Sequence, residues 1–220
     1  PPPSGTLFYI RDGGTGNCSD WTNACDTLPA TLQRGATYYI ADGIYGSYTF
    51  DDPVSGTQLI IIKKATISDH GTNTGWQAAY GDGQAQFGQL RFNRYGYYVI
   101  DGQTRNENNW TDSLSYGFRI FGQIYAHAAN PGPECPDYIT VRYADVGYTD
   151  IGNVYSANTA DGFYLQGSAD SCVAWQIQRN RIHNVEVQIM LVNATNSLIE
   201  YNWMEHSFAK EAIRGQLAIT

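Results

Sequence analysis

Apolar residues in this chain come in short runs broken by Gly, Asn, Asp and Ser, and no stretch keeps a 3.6-residue period over about ten residues. That pattern predicts strands: Leu7–Arg11, Ala36–Ala41, Tyr45–Phe50, Leu59–Lys63, Gln89–Phe92, Tyr97–Ile100, Phe118–Ile124, Tyr138–Tyr143, Gly162–Leu165, Val173–Gln178, Ile189–Val192 and Ala212–Thr220. Four consecutive apolar residues in Leu59–Ile62 predict a strand packed on both faces. The one helical signal is Thr27–Gln33, one or two turns with Thr27 as cap, placed to blunt one end of a β core.

The last third repeats itself. Val173–Val185 reads VAWQIQRNRIHNV and Asn196–Phe208 reads NSLIEYNWMEHSF. Setting Asn180 on Asn202 puts Ile177 on Ile199, Ile182 on Met204 and Val185 on Ser207, an offset of 22 residues. A strand, an Asn and a second strand recurring at that spacing describe one coil of a β-solenoid. Stacking such coils would make apolar columns of Ile177 over Ile199 and Ile182 over Met204. Asn180 over Asn202 would form a hydrogen-bonded ladder at a turn, where Asn tolerates left-handed backbone. The long polar segments 66–86, 104–116 and 148–160 then bulge from the stack without breaking it. Residues 1–220 read as a single domain, with Pro1–Gly5 as the end of a processed or trimmed chain. The strand at Ala212–Thr220 has no polar cap after it, so either the protein continues or another subunit covers that end by self-association.

Composition narrows the setting. Only 15% of residues are charged, while there are 23 Gly and 17 Tyr, which suits a secreted β-rich protein and argues against disorder. The net charge of −8, with no basic stretch, argues against a nucleic-acid partner. It also means that an acidic polysaccharide would need a cation or a local basic patch. No apolar run reaches membrane-spanning length. Cys18, Cys25, Cys135 and Cys172 lack zinc-site spacing. Of their three pairings, Cys18–Cys25 with Cys135–Cys172 is favoured, against the alternative of free thiols. Disulfides would place the chain in an oxidising, extracellular setting.

The opening, FYIRDGGTGN…CDTLPATLQRGATYYIADGIYGSYTF, resembles that of secreted right-handed parallel β-helix proteins of the pectate-lyase-like superfamily. The shared parts are the strand Leu7–Arg11, the loop Gly13–Asn17, a short helix at Leu28–Gln33, the strand Tyr38–Ala41 and the turn Asp42–Tyr45. The Asn180 and Asn202 coils resemble the family's Asn-stacked repeat. The resemblance implies an all-β, right-handed, single-stranded parallel β-helix with a short N-terminal capping helix. It also implies a polysaccharide partner, with lyase or glycoside hydrolase chemistry; the alternative within the same superfamily is a noncatalytic structural or adhesive solenoid that builds a surface filament, sheath or appendage.

A lyase needs a charge to neutralise a uronate, a base and an acid; a hydrolase needs two carboxyl groups. The densest set of such groups is Glu200, Asn202, Glu205, His206, Lys210, Glu211 and Arg214. Asn-x-x-Glu followed by Lys-Glu-Ala-Ile resembles the calcium and catalytic region of alginate-lyase-like β-helices. That implies Asn202, Glu205 and Glu211 as ligands for Ca2+, and Lys210, Arg214 and Glu205 as catalytic groups; the bland reading is a solvated face. Asp145, Asp150 and Asp161 form a looser acidic group, read as turn residues, and His70, His127 and His183 read as surface or turn residues. The many Tyr and Trp suit loop packing, sugar stacking or protein contacts.

Overall fold

In the computed structural model, described for residues 5–127, 135–148, 160–167, 171–208 and 211–216, the apolar runs become short strands in three large all-parallel sheets, beside a two-stranded parallel sheet of Cys172–Val173 and Ala194–Thr195. The first sheet holds Leu7–Ile10, Thr37–Ile40, Ile60–Lys64, Tyr98–Asp101, Ile139–Arg142, Gln176–Gln178 and Leu198–Glu200 in spatial order. The second holds Gly43–Ile44, Ala85–Phe87, Phe118–Phe121, Ala144–Gly147, Arg181–Val185 and Trp203–Ser207. The third holds Tyr48–Phe50, Leu90–Phe92, Ile124–His127, Phe163–Gln166, Ile189–Val192 and Ile213–Gln216. From Thr37 onward the chain visits them in the order first, second, third and then returns to the first, a succession compatible with a parallel β-solenoid.

The register gives the core its columns. Phe8, Tyr38, Ile62, Ile100, Val141, Ile177 and Ile199 follow one another across the first sheet. Phe87, Ile120, Val146, Ile182 and Met204 do so across the second. The third contributes Phe50, Phe92, Ala126 and Leu165. Most of these are fully buried and belong to one apolar cluster. The repeat pairs as its alignment demands: Ile177 opposite Ile199, Ile182 opposite Met204, Val185 opposite Ser207. Asn180 sits wholly buried in the turn between the first and second sheets. Its Nδ2 donates to Val141 O (3.0 Å) and Asn202 Oδ1 (3.2 Å), its Oδ1 accepts from Ala144 N (3.0 Å), and Asn202 Nδ2 donates to Ile177 O (2.7 Å).

The strands differ from expectation in places where the chain changes sheet. Tyr45–Phe50 shortens to Tyr48–Phe50, with Gly43–Ile44 a separate strand before it, and Phe118–Ile124 is divided between Phe118–Phe121 and Ile124–His127. Val173–Gln178 breaks at Ala174, whose φ is +57°. Ile60 and Ile62 are buried but Leu59 is exposed, so that run packs mainly on one face.

The capping helix is absent: residues 27–33 form no helix. Pro29 disfavours helical backbone at Leu28. The amides a helix would use are taken by side chains, Leu32 N donating to Asp52 Oδ1 (2.6 Å) and Gln33 N to the Tyr38 hydroxyl (2.7 Å). The segment still does the work of a cap, since Leu28 and Leu32 are buried in the main core. Disulfides join Cys18 to Cys25 and Cys135 to Cys172, with Cα–Cα distances of 4.7 and 4.9 Å. Among the described residues no helix is long and apolar enough to cross a membrane.

Candidate functional site

The outer face of the second sheet carries an ionic cluster that the register builds. Arg119, Asp145 and Arg181 stand at one outward position in three successive strands, and Gly147, His183 and Glu205 at the next. In-register parallel strands lie about 4.8 Å apart, close enough for charged neighbours to pair. Asp145 is 2% exposed and is the hub. Its Oδ2 lies 3.2 Å from Arg119 Nε, and its Oδ1 lies 2.8 Å from Arg181 Nη1 and 3.0 Å from His183 Nε2. Arg181 continues the chain of charges to Glu205 through Nη2 and Oε1.

Burial works to raise the Asp145 carboxyl, but the His183 hydrogen bond and the Arg119 and Arg181 charges outweigh it and hold the group below the ordinary Asp range. The same burial lowers the Arg119 guanidinium. For Glu205 burial is likewise the largest influence, and the Trp203 hydrogen bond and Arg181 overcome it to leave the carboxyl low.

Arg119, Asp145, Arg181 and His183 line a cleft of about 240 Å³, with Tyr148, Asn184, His206 and Ser113 completing the wall. Gly147 lets the neighbouring backbone at His183 approach closely. It puts no side chain between Phe121 and His183, and a Cβ there would lie 1.9 Å from His183 O. Asn184 and His206 both adopt left-handed backbone, with φ of +53° and +51°, which bends the ends of their strands beside the cleft. His183 is 5% exposed, and both its ring nitrogens are buried without a well-formed hydrogen bond among the described residues, Nε2 standing 3.0 Å from Asp145 Oδ1.

The candidates from the last coil are held by different partners. Asn202 spends its amide on the Asn180 ladder. Glu205 joins the ionic cluster, and Glu200 accepts from Gln178 Nε2 in the first sheet (2.8 Å). Glu211 pairs with Arg214, whose strand belongs to the third sheet. Lys210 and Asp150 lie outside the described residues, as does the His127 side chain. Among the described residues no group of three or more His, Cys, Asp or Glu is arranged to hold a metal ion.

Asp145 and His183 turn out to be buried partners, where sequence reasoning assigned them to turns and surface. Arg119 and Arg181 were missed. Only the strand register sets Asp145-Val146-Gly147 over Arg181-Ile182-His183 and so brings the charges into one row. His70 is a turn residue, stacked on Trp76 at 4.1 Å and bonded to Thr66 O and Asn73 Oδ1.

Asp161, at the entry to the third sheet, behaves differently from Asp145. Burial pushes its carboxyl up to about 6, with Glu186 adding to the rise and the bond from Val187 N offsetting part of it. A raised acid contributes its stability below the unfolded value, about 3.9, and that contribution is lost as pH rises through about 6. Asp161→Asn keeps the acceptor for Val187 N and should be more stable than the parent at pH 8 by about 1–2 kcal/mol, with little difference at pH 4. Urea midpoints at the two pH values measure this, and an equal gap at both would contradict it.

Comparison with protein-family models, with curated proteins and with solved structures returned no match to this chain.

Proposed function

We propose that this chain is a secreted, right-handed, single-stranded parallel β-helix of pectate-lyase-like type that binds an extracellular polysaccharide and cleaves it at the cleft on the second sheet. The observation that carries this reading is the gathering of Arg119, Asp145, Arg181 and His183 around one cleft. His183 Nε2 lies 3.0 Å from Asp145 Oδ1, where the carboxylate can orient the ring. A carboxylate beside an imidazole in a cleft is the pairing that a general base uses. Arg119 and Arg181 supply donors in a half-buried setting, where charge is weakly screened and a sugar carboxylate is held most strongly. The Tyr148 phenol, raised by burial, lines the same wall as a proton donor.

Two disulfides are compatible with the extracellular setting. Incubation with a panel of acidic polysaccharides should release unsaturated uronate ends. His183→Ala should slow that release by about 10²–10⁴-fold, the usual contribution of a general base. Absence of product across the panel, or a His183→Ala rate equal to the parent, would sink the catalytic reading.

One observation favours a second reading, the noncatalytic structural solenoid. Charges on the outer faces alternate in sign along a row, as in Arg119–Asp145–Arg181 and Lys63, Asp101 and Arg142. Such rows stiffen a stack whether or not anything binds. Self-assembly without glycan binding would select it.

A further inference from the structure

The turn that leads into the first sheet has its own column. The register places Tyr97, Tyr138, Ala174 and Asn196 at one position in four successive coils. All four are left-handed, with φ of +64°, +55°, +57° and +51°. The backbone bonds repeat as well: Tyr97 N donates to Asp137 O, Tyr138 N to Val173 O and Ala174 N to Thr195 O. Left-handed backbone is costly for residues other than Gly and Asn, so its recurrence here shows that the stack imposes one geometry on whatever side chain stands there.

The side chains along this column are unequal. Tyr97 and Tyr138 stack with centroids 4.8 Å apart and planes 15° from parallel. The next coil offers only Ala174, a methyl group where the two before it carry phenol rings. Tyr138 is 48% exposed, and its only ring contact among the described residues is Tyr97. The column therefore presents an aromatic face followed by a rung about one coil, ~4.8 Å, high with no ring in it. Beside it runs a cleft of about 500 Å³ lined by Tyr95, Tyr97, Arg94, Asp137, Val173 and Thr195. Among the described residues Arg94 makes no ion pair, only a contact over the Tyr95 ring.

We propose that the open rung above Tyr138, over Ala174, is a glycan-binding subsite that takes one pyranose ring of the polysaccharide. This rests on the polysaccharide reading above and adds a site separate from the His183 cleft. A pyranose has the required form: a flat face of C–H groups to lie on an aromatic ring, and a rim of hydroxyls around it. The rim meets polar groups on this turn, with Thr195 and Arg94 in the cleft wall and Asn196 at the following rung. A wholly apolar ligand would leave those groups without partners.

The test is built into the column. Ala174→Tyr should be accommodated, because tyrosine already occupies the same left-handed position in two neighbouring coils, and its ring would fill the rung. Affinity electrophoresis in gels cast with soluble polysaccharides should show the parent retarded by at least one of them. Ala174→Tyr and Tyr138→Ala should each weaken that binding about tenfold, the loss expected for one stacking aromatic. Ala174→Tyr should also keep the parent's thermal midpoint, which separates occlusion from misfolding. Equal retardation of parent and Ala174→Tyr would overturn this subsite and leave the polysaccharide reading standing. No retardation of the parent by any glycan would overturn both. If Tyr138→Ala instead alters the sedimentation coefficient and leaves glycan binding unchanged, a second copy of the chain occupies the rung and the proposal falls.

Discussion

Replacing Asn180 with Ala should cost about 3–4 kcal/mol of unfolding free energy, which for a chain of this size lowers the thermal midpoint by about 8–12 °C. The side chain is completely buried and serves three groups at once: Ala144 N, Val141 O and Asn202 Oδ1. Alanine leaves the two backbone groups without partners in a place water does not reach, and each such loss costs about 1–3 kcal/mol. Asn180→Asp should fare no better, since it keeps the acceptor but removes both donated bonds and buries a charge. Asn202→Ala is the internal comparison. Asn202 is only partly buried, so water can replace some of what it loses, and about 1–2 kcal/mol is expected. Denaturant titration of the three variants decides the matter. A loss below about 1 kcal/mol for Asn180→Ala would mean that the ladder is decoration on a stack held by its apolar columns.

Asp145→Ala should be the other severe substitution, at about 3–5 kcal/mol, because it leaves buried positive charge uncompensated. Arg119 and Arg181 reach this carboxylate from two different coils, and His183 approaches it from a third direction. Its removal should loosen the second sheet from Phe118 to Ser207 and not only one strand. The pH dependence has a definite sign. The Asp145 carboxyl is held below its unfolded value, so its contribution is present above about pH 3.9 and is lost as pH falls through the lower folded value. The gap between the parent and Asp145→Ala should therefore be full at pH 7 and shrink in acid. A gap that stays constant into acid would show that the loss comes from packing and not from charge.

These two residues also mark how far the chain could be read before its folding was known. Asn180 was legible because a ladder is a local device. The residues that stack are separated by one short coil of 22 positions, so the repeat survives as a visible alignment. Asp145 was not, because its coil is interrupted by long insertions, and its partners arrive from coils of different lengths. The Arg119–Asp145–Arg181 row is regular in space and irregular in sequence. His183 looked like a turn residue for the same reason, since nothing near it in the chain announces Asp145.

The sequence alone determined the all-β character, the apolar runs, the Asn turn and the register of the last two complete coils. Each of these depends on residues within one strand or one short period. Tertiary structure decided what no short window contains. It replaced the expected helix at residues 27–33 with an irregular cap, because Asp52 and the Tyr38 hydroxyl took its amides. It separated Asn202, Glu205 and Glu211 among different partners, and it gathered Arg119, Asp145, Arg181 and His183 around one cleft. The physical reason is the parallel pairing: residues far apart in the chain become neighbours about 4.8 Å apart in adjacent strands, while residues three or six apart can be sent to different sheets.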